Sequence, residues 1–275
     1  NINSINRKNF LSILKAIKGC DLFISGGGSL LQDVTGWKSI PYYLGQVMFA
    51  QLMGKKTVFY AQGIGPVKKK IYKWFIKKVM KKADFISVRD NKSRELLLDW
   101  GIGSEQIQLS VDPVFVLRNL SYEYNDHNLD NELTNDHQKP LIGVSVRPWN
   151  DNNYLEKFTE ALSKFASGIN ANLLIIPFHS GQDEEISEKL KADIISKWKE
   201  INYEGDILVN KVETPLQALS IFKEIDFLLG VRLHSLIFSA LNNVPFVAVE
   251  YDPKVVGFLE LIGIKSSVPI NDLDS

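Results

Sequence analysis

Short apolar runs rich in β-branched and aromatic residues alternate with longer amphipathic stretches along the whole chain, and this rhythm limits the fold more than any other feature. The strand-like runs include "DLFIS" (21–25), "TVFYA" (57–61) and "DFISVR" (84–89), then "LIGVSV" (141–146), "NLLIIP" (172–177), "DILV" (206–209), "DFLLG" (226–230) and "PFVAVE" (245–250). Between them lie helical patterns such as "NFLSILKAIK", "YLEKFTEALSKFA" and "EEISEKLKADIISKW". A strand that returns parallel to its predecessor needs a crossover of a dozen or more residues, usually helical, so the alternation predicts βα repeats and parallel sheets. Residues 119–139, "NLSYEYNDHNLDNELTNDHQK", interrupt it: they are polar, rich in Asn and Asp, and lack a sustained period. We read them as a linker between two α/β domains, residues 1–118 and 140–275, each of ordinary domain size. The chain carries no repeat of solenoid period and no low-complexity tract.

Composition narrows the class of partner. Basic and acidic residues balance at 32 each, so nothing global calls for nucleic acid, and an electrostatic function has to be local. Cys20 is the only cysteine, which excludes an intramolecular disulfide and cysteine-based zinc fingers and suits a reducing compartment. No run approaches the roughly 18 apolar residues of a membrane span and the first residues show no secretory pattern, so a cytoplasmic protein is expected. The chain starts without methionine, almost directly in a helical pattern, and stops soon after another, so residues are expected to be missing at both ends.

The polar residues with the best claim to chemistry sit where strands hand over to helices. In "SGGGSLLQD" (25–33), Gly27 and Gly28 allow backbone amides to approach an anion. The segment is neither a dinucleotide fingerprint, because Leu31 replaces the third glycine, nor a P-loop, because the Lys-Ser/Thr pair is absent; a tight turn needing positive φ reads equally well. "YAQGIGPV" (60–67) repeats the arrangement, with Gln62 and Gly63 at a carboxyl strand end, where open α/β sheets bind ligands, and with Pro66 equally able to start a helix. "GVSVRP" (143–148) ends a strand with Arg147, suited either to bidentate anion contacts or to a structural ion pair. "IIPFHSGQDEE" (175–185) places His179 in a loop, without metal-ligand spacing. "LLGVRLHSLIF" (228–238) puts Arg232, Leu233, His234 and Ser235 into the first turn of a helix, where free amides and the macrodipole favour an anion. An imidazole there can deliver a proton near neutral pH, or else serve only to line the core. Two arginines and a histidine thus read as a site for a small dianion with an acid catalyst. Separately, "VKKKIYKWFIKKVMKK" (67–82) predicts an amphipathic helix whose lysines, Lys68 to Lys82, form either a solvated face or a contact for anionic lipid or a polyanionic acceptor.

These segments, together with "ISVRDNKSRELL", "VDPVF" and "GVRLHSLIFSALNNVPFVAVEYDPKV", resemble the polysaccharide pyruvyl transferases, most closely the CsaB type, in order along nearly the whole chain. The resemblance implies a GT-B-like fold, two Rossmann-type domains with parallel sheets facing across a cleft. It implies transfer of pyruvate from phosphoenolpyruvate onto a sugar of a cell-wall or exopolysaccharide glycan, or its lipid-linked precursor, as a ketal, with no cofactor and no metal. By the same resemblance Arg147 and Arg232 hold phosphoenolpyruvate, with Leu233 and Ser235 beside them, and His234 is the general acid. Gly27, Gly28, Gln62, Gly63, His179 and Tyr251 are candidate substrate or acceptor contacts, with the acceptor on the first domain. Two departures stand out: the glycine-rich segment with an acidic residue that opens the family's first domain is absent, and the usual C-terminal helices are missing or cut short. The rival readings are a GT-B glycosyltransferase using a nucleotide sugar, and a non-catalytic glycan- or anion-binding protein.

Overall fold

The computed structural model describes residues 3–34, 36–119, 139–150 and 152–272, so residues 120–138 of the expected linker lie outside those described. The chain divides into two compact units, Asn1–Pro113 and Val114–Ser275. We expected residues 114–118 to belong with the first. They belong with the second because Val114, Phe115 and Leu117 pack against its core.

The first unit runs α1 (Phe10–Gly19), β1 (Leu22–Gly26), α2 (Ser39–Leu52), β2 (Lys56–Gln62), α3 (Lys70–Met80), β3 (Phe85–Val88), α4 (Asn91–Asp99) and β4 (Ile107–Leu109). Its sheet has the order β1-β2-β3-β4, every pair parallel. Each strand is added on the same side of the last, so right-handed crossovers bring α2, α3 and α4 to one face. Burial follows that geometry: Thr57 and Phe59 of β2 are fully covered, whereas Ile24, Tyr60 and Phe85 stay 40–56% exposed.

The second unit runs β5 (Leu141–Ser145), α5 (Tyr154–Ile169), β6 (Asn172–Ile175), α6 (Asp183–Glu200), β7 (Ile207–Val209), α7 (Pro215–Glu224), β8 (Phe227–Gly230), α8 (Leu233–Leu241), β9 (Phe246–Glu250), α9 (Pro253–Ile262) and β10 (Ser267–Pro269). The sheet order is β10-β9-β8-β5-β6-β7, again parallel throughout. Strands are laid outward from β5 in one direction and from β8 in the other, so crossover helices cover both faces and β5 and β6 are buried at every residue. The reversal between β5 and β8 is a topological switch point, the place where such sheets open a crevice at their carboxyl edge.

Local chemistry sets the helix ends that frame that edge. Thr214 and Asp252 cap α7 and α9, accepting hydrogen bonds from the N–H groups of Gln217 and Lys254, and a proline follows each cap. Asn170 and Gly263 end α5 and α9 in the left-handed region, at φ 55° and 71°. The core is carried by side chains such as Phe158 of α5, which is 1% exposed and meets Tyr154 edge to face at 6.0 Å. Phe158→Ala should destabilise the second unit by about 3–5 kcal/mol, the usual cost of an aromatic-sized cavity. Urea unfolding measures this, and a loss below about 1 kcal/mol would mean that the site collapses rather than remaining a cavity.

Candidate functional site

The register of β5 and β8 sets the geometry. Ser145 pairs with Gly230, and the Val231 N–H donates to the Ser145 carbonyl at 2.8 Å. Arg147 and Arg232 therefore each leave the sheet two residues beyond a paired position, on neighbouring strands at the switch point. The loop after β6 brings His179 to the same edge, the residue after β9 is Tyr251, and α8 starts directly after Arg232.

The two arginines are held differently. Arg147 is half-buried and its guanidinium lies over the Tyr251 ring at 4.4 Å and the Trp149 ring at 5.5 Å. Those two rings meet edge to face at 5.3 Å. The Arg147 backbone is anchored as well: Tyr154 Oη donates to its carbonyl at 2.6 Å and accepts from its N–H at 3.3 Å. Burial pushes the Tyr154 phenol up to about 12, against the opposing pull of the Arg147 hydrogen bond. Among the described residues no carboxylate pairs with Arg147, so its charge is not offset by an ion pair. Lys254, in the first turn of α9, adds a second cation 5.4 Å from the Tyr251 ring, with Asp252 at 3.7 Å from its Nζ.

Arg232 is clamped by Asp183. Its Nε donates to Asp183 Oδ2 at 2.9 Å and its Nη2 bonds Oδ1, a bidentate pair that leaves Nη1 outside the clamp. Asp183, the first residue of α6, is fully buried and also accepts the N–H groups of Phe178 and His179 at 3.2 and 2.9 Å. One carboxylate thus fixes Arg232, the loop after β6 and the start of α6. Local spacing does not single out Asp183, because its partner lies 49 residues away.

The remaining candidates separate into exposed and supporting residues. His234 is the second residue of α8 and is exposed. Leu233 is 6% exposed in the core, and the fully buried Ser235 donates its hydroxyl to the Arg232 carbonyl at 2.6 Å, so both hold the turn from beneath. His179 is exposed, with Nδ1 3.0 Å from the Ser180 carbonyl. In the first unit, Gly27 and Gly28 adopt φ of 73° and 63°, which explains the glycines by conformation. Gln62 is fully buried and donates to Ser25 Oγ at 2.8 Å. Gly63 donates its N–H to the Gly28 carbonyl, and a Cβ there would come within 2.8 Å of Ser29 Oγ and 3.0 Å of Arg89 Nε. Arg89 itself pairs with Asp112 at 2.7 Å and donates to Ser29 Oγ at 2.9 Å, a buried tie among the strand-end loops that spacing alone does not reveal. Among the described residues no cluster of three or more His, Cys, Asp or Glu could hold a metal.

The comparisons with known proteins follow this division. The sequence profile of the polysaccharide pyruvyl transferase family matches residues 1–253. Amylovoran biosynthesis protein AmsJ of Erwinia amylovora is 21% identical over 257 residues, 90% of this chain and 61% of its own, so the chain spans about three-fifths of that relative. Among solved structures, the UDP-GlcNAc 2-epimerase of Methanocaldococcus jannaschii aligns with 99% of this chain and 75% of its own at TM-score 0.63 and 11% identity. MnaA of S. aureus, solved with UDP, aligns with 98% and 72% at TM-score 0.63 and 12% identity. An α,α-trehalose-phosphate synthase of Burkholderia vietnamiensis aligns with 98% and 70% at TM-score 0.53 and 11% identity. At these identities the likeness shows the fold alone, two parallel-sheet α/β units of the GT-B type.

Two measurements probe the arrangement. Asp183→Ala leaves the Arg232 guanidinium largely buried without its partner and should cost about 3–5 kcal/mol, while the Asp183→Ala/Arg232→Ala double variant should recover part of that loss. Strictly additive losses in urea unfolding would mean that the pair is not coupled. For Tyr154, the folded phenol stays protonated to about pH 12 while the unfolded one ionises at 10, so its contribution is complete below pH 10 and is lost between pH 10 and 12. The parent should therefore lose about 2–3 kcal/mol more than Tyr154→Phe across that window, and parallel pH profiles would contradict it.

Proposed function

This chain belongs to the polysaccharide pyruvyl transferase family, and from that premise we propose that it moves a pyruvyl group from phosphoenolpyruvate onto a sugar of a polysaccharide, or of its lipid-linked precursor, as a ketal. The observation that carries the reading is the meeting of Arg147, Arg232 and His234 at the β5–β8 switch point. A small dianion there finds one uncompensated guanidinium at Arg147, the directed Nη1 of Arg232, and the first turn of α8.

The chemistry requires little more. His234 gives a proton to the methylene carbon of the enol phosphate, and positive charge develops at the neighbouring carbon. A sugar hydroxyl attacks that carbon, phosphate leaves, and a second hydroxyl closes the ketal. The sum is phosphoenolpyruvate plus a diol giving a pyruvate ketal plus inorganic phosphate, which balances without a further cofactor. Arg147 and Arg232 fix the donor and stabilise the departing phosphate. The finer reading, a CsaB-type enzyme acting on a cell-wall glycan in the cytoplasm, belongs to the same proposal.

The test is phosphate release from phosphoenolpyruvate in the presence of candidate glycan acceptors. Turnover of a UDP-sugar with no phosphate release from phosphoenolpyruvate would replace this reading with glycosyl transfer. Arg147→Ala should weaken phosphoenolpyruvate binding by about 2–5 kcal/mol, and Arg232→Ala should act in the same direction. His234→Gln should leave binding largely intact while turnover falls on the order of 100-fold or more. Near-parental turnover in the glutamine variant would remove His234 from the role of acid.

A further inference from the structure

Basic and acidic residues balance over the whole chain, yet eight of its 32 Lys and Arg residues fall between Lys68 and Lys82, with no acidic residue from Val67 to Ala83. Among the described residues none of these lysines makes an ion pair. The nearby carboxylate of Asp33 accepts the backbone N–H groups of Lys68 and Lys69, which ties Asp33 to the start of α3. The Tyr72 hydroxyl makes a second tie, donating to the Trp37 carbonyl at 2.9 Å.

A face that only has to be solvated needs no large apolar side chains on it, and this one carries several. Ile76, Val79 and Met80 bury the inner side of α3, while Trp74 is 55% and Ile71 60% exposed on the outer side. Trp74 lies one turn from Lys70 and one turn from Lys78, whose Nζ sits 4.9 Å from the Trp74 ring. On the tethered segment, Trp37 is 62% exposed with Lys38 stacked over it at 5.2 Å. Tryptophans ringed by lysines match the boundary of a bilayer, where the indole enters the headgroup–acyl region and the ammonium groups meet anionic headgroups.

We propose that the outer face of α3, with Trp74 and Ile71 at its centre, docks the protein peripherally on an anionic lipid surface. The apolar centre favours lipid over a soluble polyanion, which would engage the lysines and leave Trp74 and Ile71 in water. The helix starts just beyond the loop that follows β2, so docking would hold the carboxyl edge of the first sheet at the membrane, where a lipid-linked acceptor would be presented. Docking itself does not depend on the pyruvyl-transfer reading, because it is measured with no substrate present.

The experiment is co-sedimentation with mixed phosphatidylglycerol–phosphatidylcholine vesicles, against pure phosphatidylcholine vesicles and with soluble polyphosphate as competitor. The parent should bind only the anionic vesicles, and less well as salt is raised. Replacing Lys70, Lys78 and Lys81 together by Gln should lower the partition coefficient on the order of 100-fold. Trp74→Ala should lower it about 10-fold while leaving the affinity for polyphosphate unchanged. Absence of binding specific to phosphatidylglycerol overturns the proposal, and so does binding that survives the lysine replacement. A Trp74→Ala variant that binds vesicles like the parent also overturns it, assigning the face to polyanions instead. All these exposed variants should keep the parental melting temperature.

Discussion

The buried carboxylate of Asp183 is the tie on which the crevice of the second unit depends. It receives two bonds from the Arg232 guanidinium and two from backbone N–H groups, and it does so with no solvent access. A carboxylate taken out of water is costly unless donors meet it, and here both oxygens are met, Oδ2 by three donors and Oδ1 by one. Because its donors come from the turn between β8 and α8 and from the loop after β6, while the carboxylate itself stands at the start of α6, the ion pair converts a sheet register into a fixed position for a charged side chain. The sheet alone would only bring Arg232 to the right edge.

Arg147 reaches the same edge by a different physical route. It has aromatic faces on Tyr251 and Trp149 in place of a carboxylate, and Tyr154 pins its backbone. Stacking orients a guanidinium without neutralising it. The division of labour that follows is chemical: Arg147 supplies attraction for an anion, whereas Arg232, already paired, supplies a donor of fixed direction. Two free arginines side by side would repel each other and cost stability in the empty protein, and pairing one of them with Asp183 removes most of that cost.

The sequence was most legible where periodicity governs. Alternating apolar runs and amphipathic stretches identify the parallel α/β units, and the handover from "DFLLG" to "VRLHS" correctly places Arg232 at a helix start with His234 in its first turn. What it could not show is pairing over distance. Asp183 and Arg232, or Arg89 and Asp112, have no local pattern, since the contacts arise only when strand order is known. Spacing also overstates accessibility. Gln62, Leu233 and Ser235 sit at strand ends or helix starts, as a ligand contact would, yet their side chains are buried, because the sheet edge is filled from beneath by the residues that shape its turns. The polar interruption at 119–139 was visible, but the packing of Val114, Phe115 and Leu117 with the second unit was not, since an apolar run ahead of a polar stretch can belong to either neighbour.

The contrast among neighbouring helices gives the site its remaining asymmetry. Thr214 caps α7 and Asp252 caps α9, each satisfying an amide that the helix leaves orphaned. In α8 the corresponding position is Arg232, which makes no side-chain cap because its side chain is drawn away to Asp183. A serine or aspartate there would quiet the helix terminus with an oxygen of the protein itself. An arginine cannot accept a hydrogen bond, so the N-terminal amides and the dipole of α8 keep their preference for an external anion. The residue that lends a directed donor to the crevice thereby also forgoes capping the helix, and the electropositive start of α8 is preserved beside His234.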